Sequence, residues 1–335
     1  MSLSAQACWV VGQQRAELRT EELPPLAPRQ VLVRTLYTAI SRGTESLVFH
    51  GRIPASEYQR MRAPYQQGDF RAPEKYGYIN VGVVEEGPAD FIGKTVFSLF
   101  PHQTRFVLPA DAVTLLPKGL AAERAVLAAG METAVNVLWD SDIKVGDRVA
   151  VVGAGVIGCL CAYLAQRTPG VAVQLIDTNP ERGSIADTLG CEFSHPDNCG
   201  PGHRNSDFDL VIHASGSGVG LQTSLEIAGV ETKIVDMSWY GDRDVLLPLG
   251  QAFHSRRLQL ISSQVGTIPA AQRSRWSYKR RLELALGLLD DTRLDCLISG
   301  ESDFSDLPRT LGEVTGSADS LCHRIRYSKI PETPE

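Results

Sequence analysis

Three glycines and one aspartate carry the clearest chemistry in the chain. In RVAVVGAGVIG, Gly153, Gly155 and Gly158 stand as G-x-G-x-x-G, after an apolar run with strand character and before one with helical character. Asp177 closes the next apolar run, VAVQLID, 19 residues beyond Gly158. That context is what a dinucleotide-binding turn requires. Gly153 makes the tight turn, Gly155 lets the backbone approach a pyrophosphate, and Gly158 allows close helix–strand packing. The helix that opens at Val156 and Ile157 offers free N–H groups and a partial positive charge to the phosphates. Asp177 is placed to accept hydrogen bonds from the adenosine ribose, and its charge repels a 2′-phosphate, so the expected cofactor is NAD. Arg182, in the next helix, keeps NADP open, because a nearby arginine can serve that phosphate.

A second stretch, LYTAISRGTE (36–45), is an apolar β-type run that stops in a polar cluster. Such a strand end delivers Ser41, Arg42, Thr44 and Glu45 to a defined place. Further along, Tyr78 follows a glycine at the start of a strand, and His102 sits in PHQ just after one.

These groups need elements to hold them. Up to about residue 117 the sequence is strand-like and rich in turns: QVLVRTLYTAI, YGYINVGVVEEG, KTVFSLF, RFVLP and AVTLLP follow at short spacing, which predicts a β-barrel unit. From about 120 the period changes. AAERAVLAAGMETAVNVLWD is helical, and strands then alternate with helices through RLQLISSQVG, which predicts a parallel α/β sheet. PERGSIADTLG opens with Pro and closes with Gly, as a helix does. YKRRLELALGLL places Leu282, Ala285, Leu286 and Leu289 on one helical face. The last residues, KIPETPE, read as a frayed end.

The 335 residues are 43% hydrophobic and 21% charged, with a formal net charge of −6, so two domains with real cores are expected. No basic field exists to hold nucleic acid or an anionic membrane. The one basic cluster, RSRWSYKRR (273–281), reads as a solvated helix start. No apolar run is long enough to span a membrane, and the N-terminus lacks the pattern of a signal peptide. The seven cysteines are scattered without a CxxC pair, which argues against a disulfide framework or a thiolate zinc knuckle. The cytoplasm is the expected location.

A barrel followed by a nucleotide fold resembles the medium-chain dehydrogenase/reductase superfamily, the alcohol dehydrogenase-like proteins. The resemblance covers nearly the whole chain and rests on KVGDRV, VGAGVIG, DLVIHASGS and FHSRRLQLISSQVG. It implies a GroES-like catalytic domain (1–125 and 266–335) and a Rossmann domain (126–265), cofactor contacts at Ser215 and Thr133, and a homodimer. Zinc members of that family carry a Cys in an I-C-x-(S/T)-D elbow, a G-H-E and a later Cys, Asp or Glu. Here those places hold Ser41 or Arg42, Gly77-Tyr78-Ile79, and Met131 or Glu132. The structural-zinc lobe is missing, because FSLF runs directly into PHQTRFVLP. Glu45, His50, His102 and Glu132 remain as possible donors, but none has the family's spacing, so no catalytic metal is expected.

Without zinc, a hydrogen-bond donor must handle the substrate oxygen during hydride transfer. Tyr78 is the first candidate, at the position of a lost ligand, and His102 the second. Arg42 and Glu45 are candidates for orienting the substrate or each other, and Glu132 for a role beside the nicotinamide. Each has a plain alternative: a packed ring for Tyr78, a loop histidine for His102, a structural pair for Arg42 and Glu45, a helix-start charge for Glu132. The long aromatic segment 50–77 reads as a lid over a substrate larger than a short alkyl alcohol, or as a dimer arm. The leading activity is interconversion of an alcohol and a carbonyl compound. A quinone or enone reductase and a catalytically silent nucleotide-binding scaffold are the alternatives.

Overall fold

The computed structural model describes residues 3–71, 73–200 and 202–327; the KIPETPE tail lies outside them. The chain divides into two compact units. The first runs up to Ala129 and resumes at Ile298, and the second is Gly130–Leu297.

In the first unit, Gln30–Ile40 is one continuous strand, and its β-branched and aromatic residues alternate between two packed surfaces. It pairs antiparallel with Asn80–Glu86, with Arg105–Pro109 and with the returning strand Cys322–Arg326. Thr95–Ser98 and Thr114–Leu115 extend the sheet on one side and Ile298–Asp303 on the other. A smaller sheet is built on the hairpin of Ser4–Gly12 and Arg15–Glu22. At Ile40 the strand passes through Ser41 straight into the helix Arg42–Phe49. The polar cluster read from the sequence is therefore the first turn of a short helix.

The segment 50–77 is neither featureless nor peeled away. It folds onto its own unit through a string of aromatic contacts. Phe70 is buried, with its ring centroid 5.5 Å from Tyr58 and 5.9 Å from Tyr76, and Tyr76 meets Tyr78 edge-on at 6.1 Å. Two short strands, Gln67–Gly68 and Glu74–Lys75, pair with each other. The segment's apolar groups are used in packing, which the polar residues between them disguise in the sequence.

Among the described residues of the second unit, six strands form a parallel sheet. Its spatial order is Glu192–Ser194, Ala172–Ile176, Arg148–Val152, Phe208–His213, Ala228–Asp236 and Gln259–Ser262. This is the 3-2-1-4-5-6 order of a doubly wound dinucleotide fold, with its switch point between Arg148–Val152 and Phe208–His213. The first unit has the GroES-like architecture and the second the Rossmann architecture.

The return to the first unit comes at Ile298 rather than at residue 266. The reason is packing within the second unit. Leu282, Ala285, Leu286, Leu289, Leu294 and Leu297 are all buried, Trp276 lies 4.9 Å from Trp139, and Asp291 takes hydrogen bonds from Tyr163 and Arg167. Within the basic cluster, Arg281 is 2% exposed, so that stretch is not simply a solvated helix start. Among the described residues, no helix is long and apolar enough to cross a membrane.

Glu74 is 2% exposed, and its Oε2 has no hydrogen-bond partner among the described residues. Burial, against a backbone hydrogen bond from Arg71 and with help from Asp69, pushes its carboxyl from an ordinary 4.5 up to about 8. The folded chain then binds a proton that the unfolded chain has lost. Stability attributable to this group is complete below pH 4.5 and declines as the pH rises to about 8, by at most ~1.4 kcal/mol per pH unit. Glu74→Gln should flatten that decline, as read by urea denaturation at pH 5, 6.5 and 8. An unchanged slope would place the proton elsewhere.

Candidate functional site

The turn after Arg148–Val152 is forced by crowding. Gly153 has φ +107°, and a Cβ there would lie 2.6 Å from the backbone N of Ser215. A Cβ on Gly158 would lie 1.9 Å from the Gly153 carbonyl oxygen. Both positions therefore exclude any side chain. Gly155 differs: a Cβ there would meet nothing within 4 Å. The protein does not need glycine at that place for its own packing, and the open side is where a ligand's phosphates can approach the backbone. Gly155 caps the helix Val156–Ala165 without a side-chain hydrogen bond. The N–H groups of that helix's first turn, at Val156, Ile157 and Gly158, have no intrahelical acceptor.

Asp177 closes the turn from the neighbouring strand. Its Oδ2 accepts the Ala154 N–H at 2.7 Å and its Oδ1 the Asn179 N–H at 2.8 Å. An ionised carboxylate has about four acceptor sites, so two remain for ribose hydroxyls. Arg182 does not stand out as an arm for a phosphate. It is 8% exposed, at the start of the helix Arg182–Leu189 and close enough to Cys159 to act on its thiol electrostatically.

Beside the turn, Ser215 belongs to a hydrogen-bonded group that sequence reasoning only touched. His213 Nε2 lies 2.6 Å from Ser215 Oγ, and His213 Nδ1 lies 2.9 Å from Asp236 Oδ1. Tyr240 donates to Asp236 Oδ2 at 2.9 Å. Asp236 ends the adjacent strand, in register with His213. That pairing depends on sheet order, which no local pattern in the sequence displays.

Of the candidate catalytic groups, the structure brings Glu45, His102 and Tyr78 together in the first unit. Glu45 is 4% exposed; its Oε1 accepts the Ser41 N–H at 2.8 Å and its Oε2 lies 3.0 Å from His102 Nε2. His102 Nδ1 lies 2.7 Å from Thr38 Oγ1, which in turn is 3.2 Å from the Tyr327 hydroxyl. Tyr78 donates to Ser41 Oγ at 2.5 Å. Burial raises the Tyr78 pKa; Ser41 and Thr44 pull it down, Glu45 adds to the rise, and the net shift is upward, so the group remains a neutral phenol. Gly77, at φ +124°, is packed so closely on the His102 ring that a Cβ would come within 2.9 Å of it. Ser41, Thr38 and Tyr327 are the members that sequence reasoning did not assign.

Two candidates have other employment. Arg42 donates to the Ser317 carbonyl at 3.1 Å, tethering the helix start to a loop, while Glu45 turns to His102. Glu132 is 5% exposed and forms a 3.0 Å ion pair with Arg281, which also binds Asn136 Oδ1 and the Val265 carbonyl. That partner, far away in sequence, makes Glu132 a structural anchor. Thr133, one residue on in the helix Ala128–Ser141, is half-buried.

Among the described residues, no three His, Cys, Asp or Glu side chains converge where they could hold a metal ion. The turn, by contrast, fits a dinucleotide, with its open Gly155, free helix N-terminus and ribose-accepting Asp177.

No family model matches the chain. Over 307 residues, 84% of this chain and 87% of the relative, it is 27% identical to D-guloside 3-dehydrogenase of Escherichia coli. Among solved structures it is similar to L-idonate 5-dehydrogenase of E. coli, with a TM-score of 0.78, 16% identity and coverage of 97% of this chain and 99% of that one. A zinc-binding dehydrogenase from Sinorhizobium meliloti bound to NADP matches with a TM-score of 0.75 at 16% identity, covering 97% and 99% of the two chains. These matches support the resemblance to the medium-chain dehydrogenase/reductase superfamily and its alcohol dehydrogenase-like members. Ser41 and Tyr78, which that resemblance puts at its metal elbow, form a hydroxyl pair.

Removing one partner of the buried Glu45–His102 hydrogen bond leaves the other polar group unmatched. His102→Ala should therefore lower unfolding stability by roughly 1–3 kcal/mol, and the double variant with Glu45→Gln should recover part of that loss. Chemical denaturation of the four proteins of that cycle checks it. Strict additivity would show that the two groups are not coupled.

Proposed function

We propose that the chain is an oxidoreductase that interconverts a secondary alcohol of a polyhydroxylated, sugar-like substrate with the corresponding carbonyl, using NAD and no catalytic zinc. The observation that carries the reading is the glycine turn at the switch point of the doubly wound sheet, with Gly155 open and Asp177 beside it. D-guloside 3-dehydrogenase of Escherichia coli, similar over 84% of this chain, supports the substrate class. A homodimer in the cytoplasm belongs to the same proposal.

When bound, the nicotinamide supplies or accepts the hydride. The chain's own residues must hold the cofactor and manage the alcohol proton. Gly155, Val156, Ile157 and Gly158 present backbone N–H groups to the pyrophosphate, and Asp177 accepts from the adenosine ribose. In the first unit, the Tyr78 proton is committed to Ser41 Oγ. The Ser41 hydroxyl thus keeps its own proton to donate to a substrate oxygen, with Tyr78 behind it as a neutral reservoir. His102, tied to Glu45 and Thr38, braces that elbow. The phenol, held above its ordinary pKa, suits a donor rather than an ionised base.

Titration with NAD and NADP tests the cofactor assignment. NAD should bind tighter by about tenfold or more, and Asp177→Ala should shrink the difference. Gly155→Ala, which meets nothing in the protein, should leave stability within about 0.5 kcal/mol of the parent while weakening NAD severalfold. Turnover on a panel of sugar alcohols and ketoses should survive removal of metal by a chelator, and Tyr78→Phe should lower kcat by ~100-fold. NAD binding without turnover of any member would favour the silent scaffold; activity lost with zinc and restored by it would overturn the metal-free assignment.

A further inference from the structure

We propose that the cleft walled by the turn at Gly12 and Gln13, the end of the helix Arg42–Phe49 and the segment 71–74 is a second binding site, for a small zwitterion of the α-amino acid class, its ammonium on Glu74 and its carboxylate on Arg71. The cleft lies wholly in the first unit. Neither Ser41 nor Tyr78 lines it, so its occupant is not the reacting alcohol and the site stands apart from the activity proposed above.

The cleft encloses ≈ 390 Å³, within the range of small-molecule sites. Val10 and Val48 give it an apolar wall. Gly12 leaves room beside them: a Cβ there would meet nothing within 4 Å. Glu74 stands across from Val10 on the paired strand and is 2% exposed. Its carboxyl accepts the Arg71 backbone N–H, yet Oε2 has no hydrogen-bond partner among the described residues. A buried polar atom left unmatched is rare and costly, and here it borders open space into which a ligand could bring a donor.

Charge selects the kind of donor. The helix Arg42–Phe49 ends beside the cleft at Gly51, and the partial negative charge of its last carbonyls favours a cation. Asp69, paired with Arg62 at 2.7 Å, adds a negative field at Glu74. Lys75, next along, is committed to Glu21 and Gln103. Burial pushes the Glu74 carboxyl up to about 8, so at neutral pH it holds a proton that an arriving ammonium would displace. Arg71 supplies the opposite charge. It is exposed, its Nε donates to the Gly51 carbonyl at 3.1 Å, and its terminal N–H groups make no hydrogen bond among the described residues. A phosphate would meet that one arginine against two carboxyl groups. A metal ion would lack ligands, since no three His, Cys, Asp or Glu side chains converge among the described residues.

The test is calorimetry of the full chain with the common free L-amino acids, and then with the decarboxylated and N-acetylated forms of any that binds. At least one should bind with a Kd below about 1 mM. At pH 6.5 its binding should release about one proton, and its affinity should rise about tenfold per pH unit before levelling off near pH 8. N-acetylation should abolish binding. Glu74→Gln should weaken binding by about tenfold or more and remove the proton release. Arg71→Gln should weaken the amino acid and leave its decarboxylated amine unchanged. Arg71 already holds φ +65°, so glutamine adds no backbone strain there, and this variant decides the matter even where Glu74→Gln does not fold. Four results would each overturn the proposal: no binding up to about 10 mM, binding without proton release, binding that survives N-acetylation, or binding of sorbitol in place of any amino acid.

Discussion

The second unit depends on one crowded crossing, where the end of Arg148–Val152 turns against the end of Phe208–His213. Gly153 and Gly158 are demanded there by backbone atoms and not by a ligand: each would drive a Cβ into main chain that has no room to move. Once that approach is made, several consequences come without further cost. The helix Val156–Ala165 begins with its first N–H groups unsatisfied, Asp177 is within reach of Ala154, and Ser215 is brought alongside the turn. The anion-binding geometry is thus a by-product of how tightly two parallel strands and a helix can pack. Only Gly155 lacks such a reason in the protein, so the ligand reading is strongest at that residue.

The first unit solves a different problem. A catalytic-metal elbow without its ligands would leave a polar hollow at the end of a buried strand. Here the hollow is closed by side chains that satisfy one another: Ser41 N–H and His102 on Glu45, Thr38 on His102, Tyr327 on Thr38 and Tyr78 on Ser41. A buried polar network of this kind is stabilising only when every member is matched, and then it is rigid. Cys8 illustrates the surroundings. Burial, with Glu45 nearby, raises its thiol pKa far above the ordinary value, so it is an inert neighbour and no thiolate ligand.

Local pattern and long-range pairing were unequally legible in the sequence. Gln30–Ile40 was readable to the residue because a β-branched run ends abruptly in polar residues, and the dinucleotide turn because glycine spacing is a backbone requirement. The helix face of Leu282, Ala285, Leu286 and Leu289 was readable from its period. What could not be read was who meets whom across the fold. Glu132 read as a candidate beside the nicotinamide, or as a helix-start charge, until Arg281, 149 residues later, closed on it. Residues after 266 stay in the second unit through buried leucines, the Trp139–Trp276 contact and the bonds to Asp291, with the Glu132–Arg281 pair as one more such long-range contact. His213, inside DLVIHASGS, has no partner pattern in the sequence, and only the strand order puts Asp236 beside it.

The choice between NAD and NADP turns on whether Asp177 could move aside. A flexible carboxylate can rotate away from a 2′-phosphate and relieve the repulsion. Asp177 cannot do so cheaply, because both of its oxygens are held by backbone N–H groups, one of them within the glycine turn itself. Releasing it would leave the Ala154 N–H unmatched at the point where the turn must stay rigid. Arg182, the residue that might have compensated, is buried beneath the same region. The proposed preference for an unphosphorylated ribose therefore rests on the hydrogen bonds that pin the aspartate as much as on its charge.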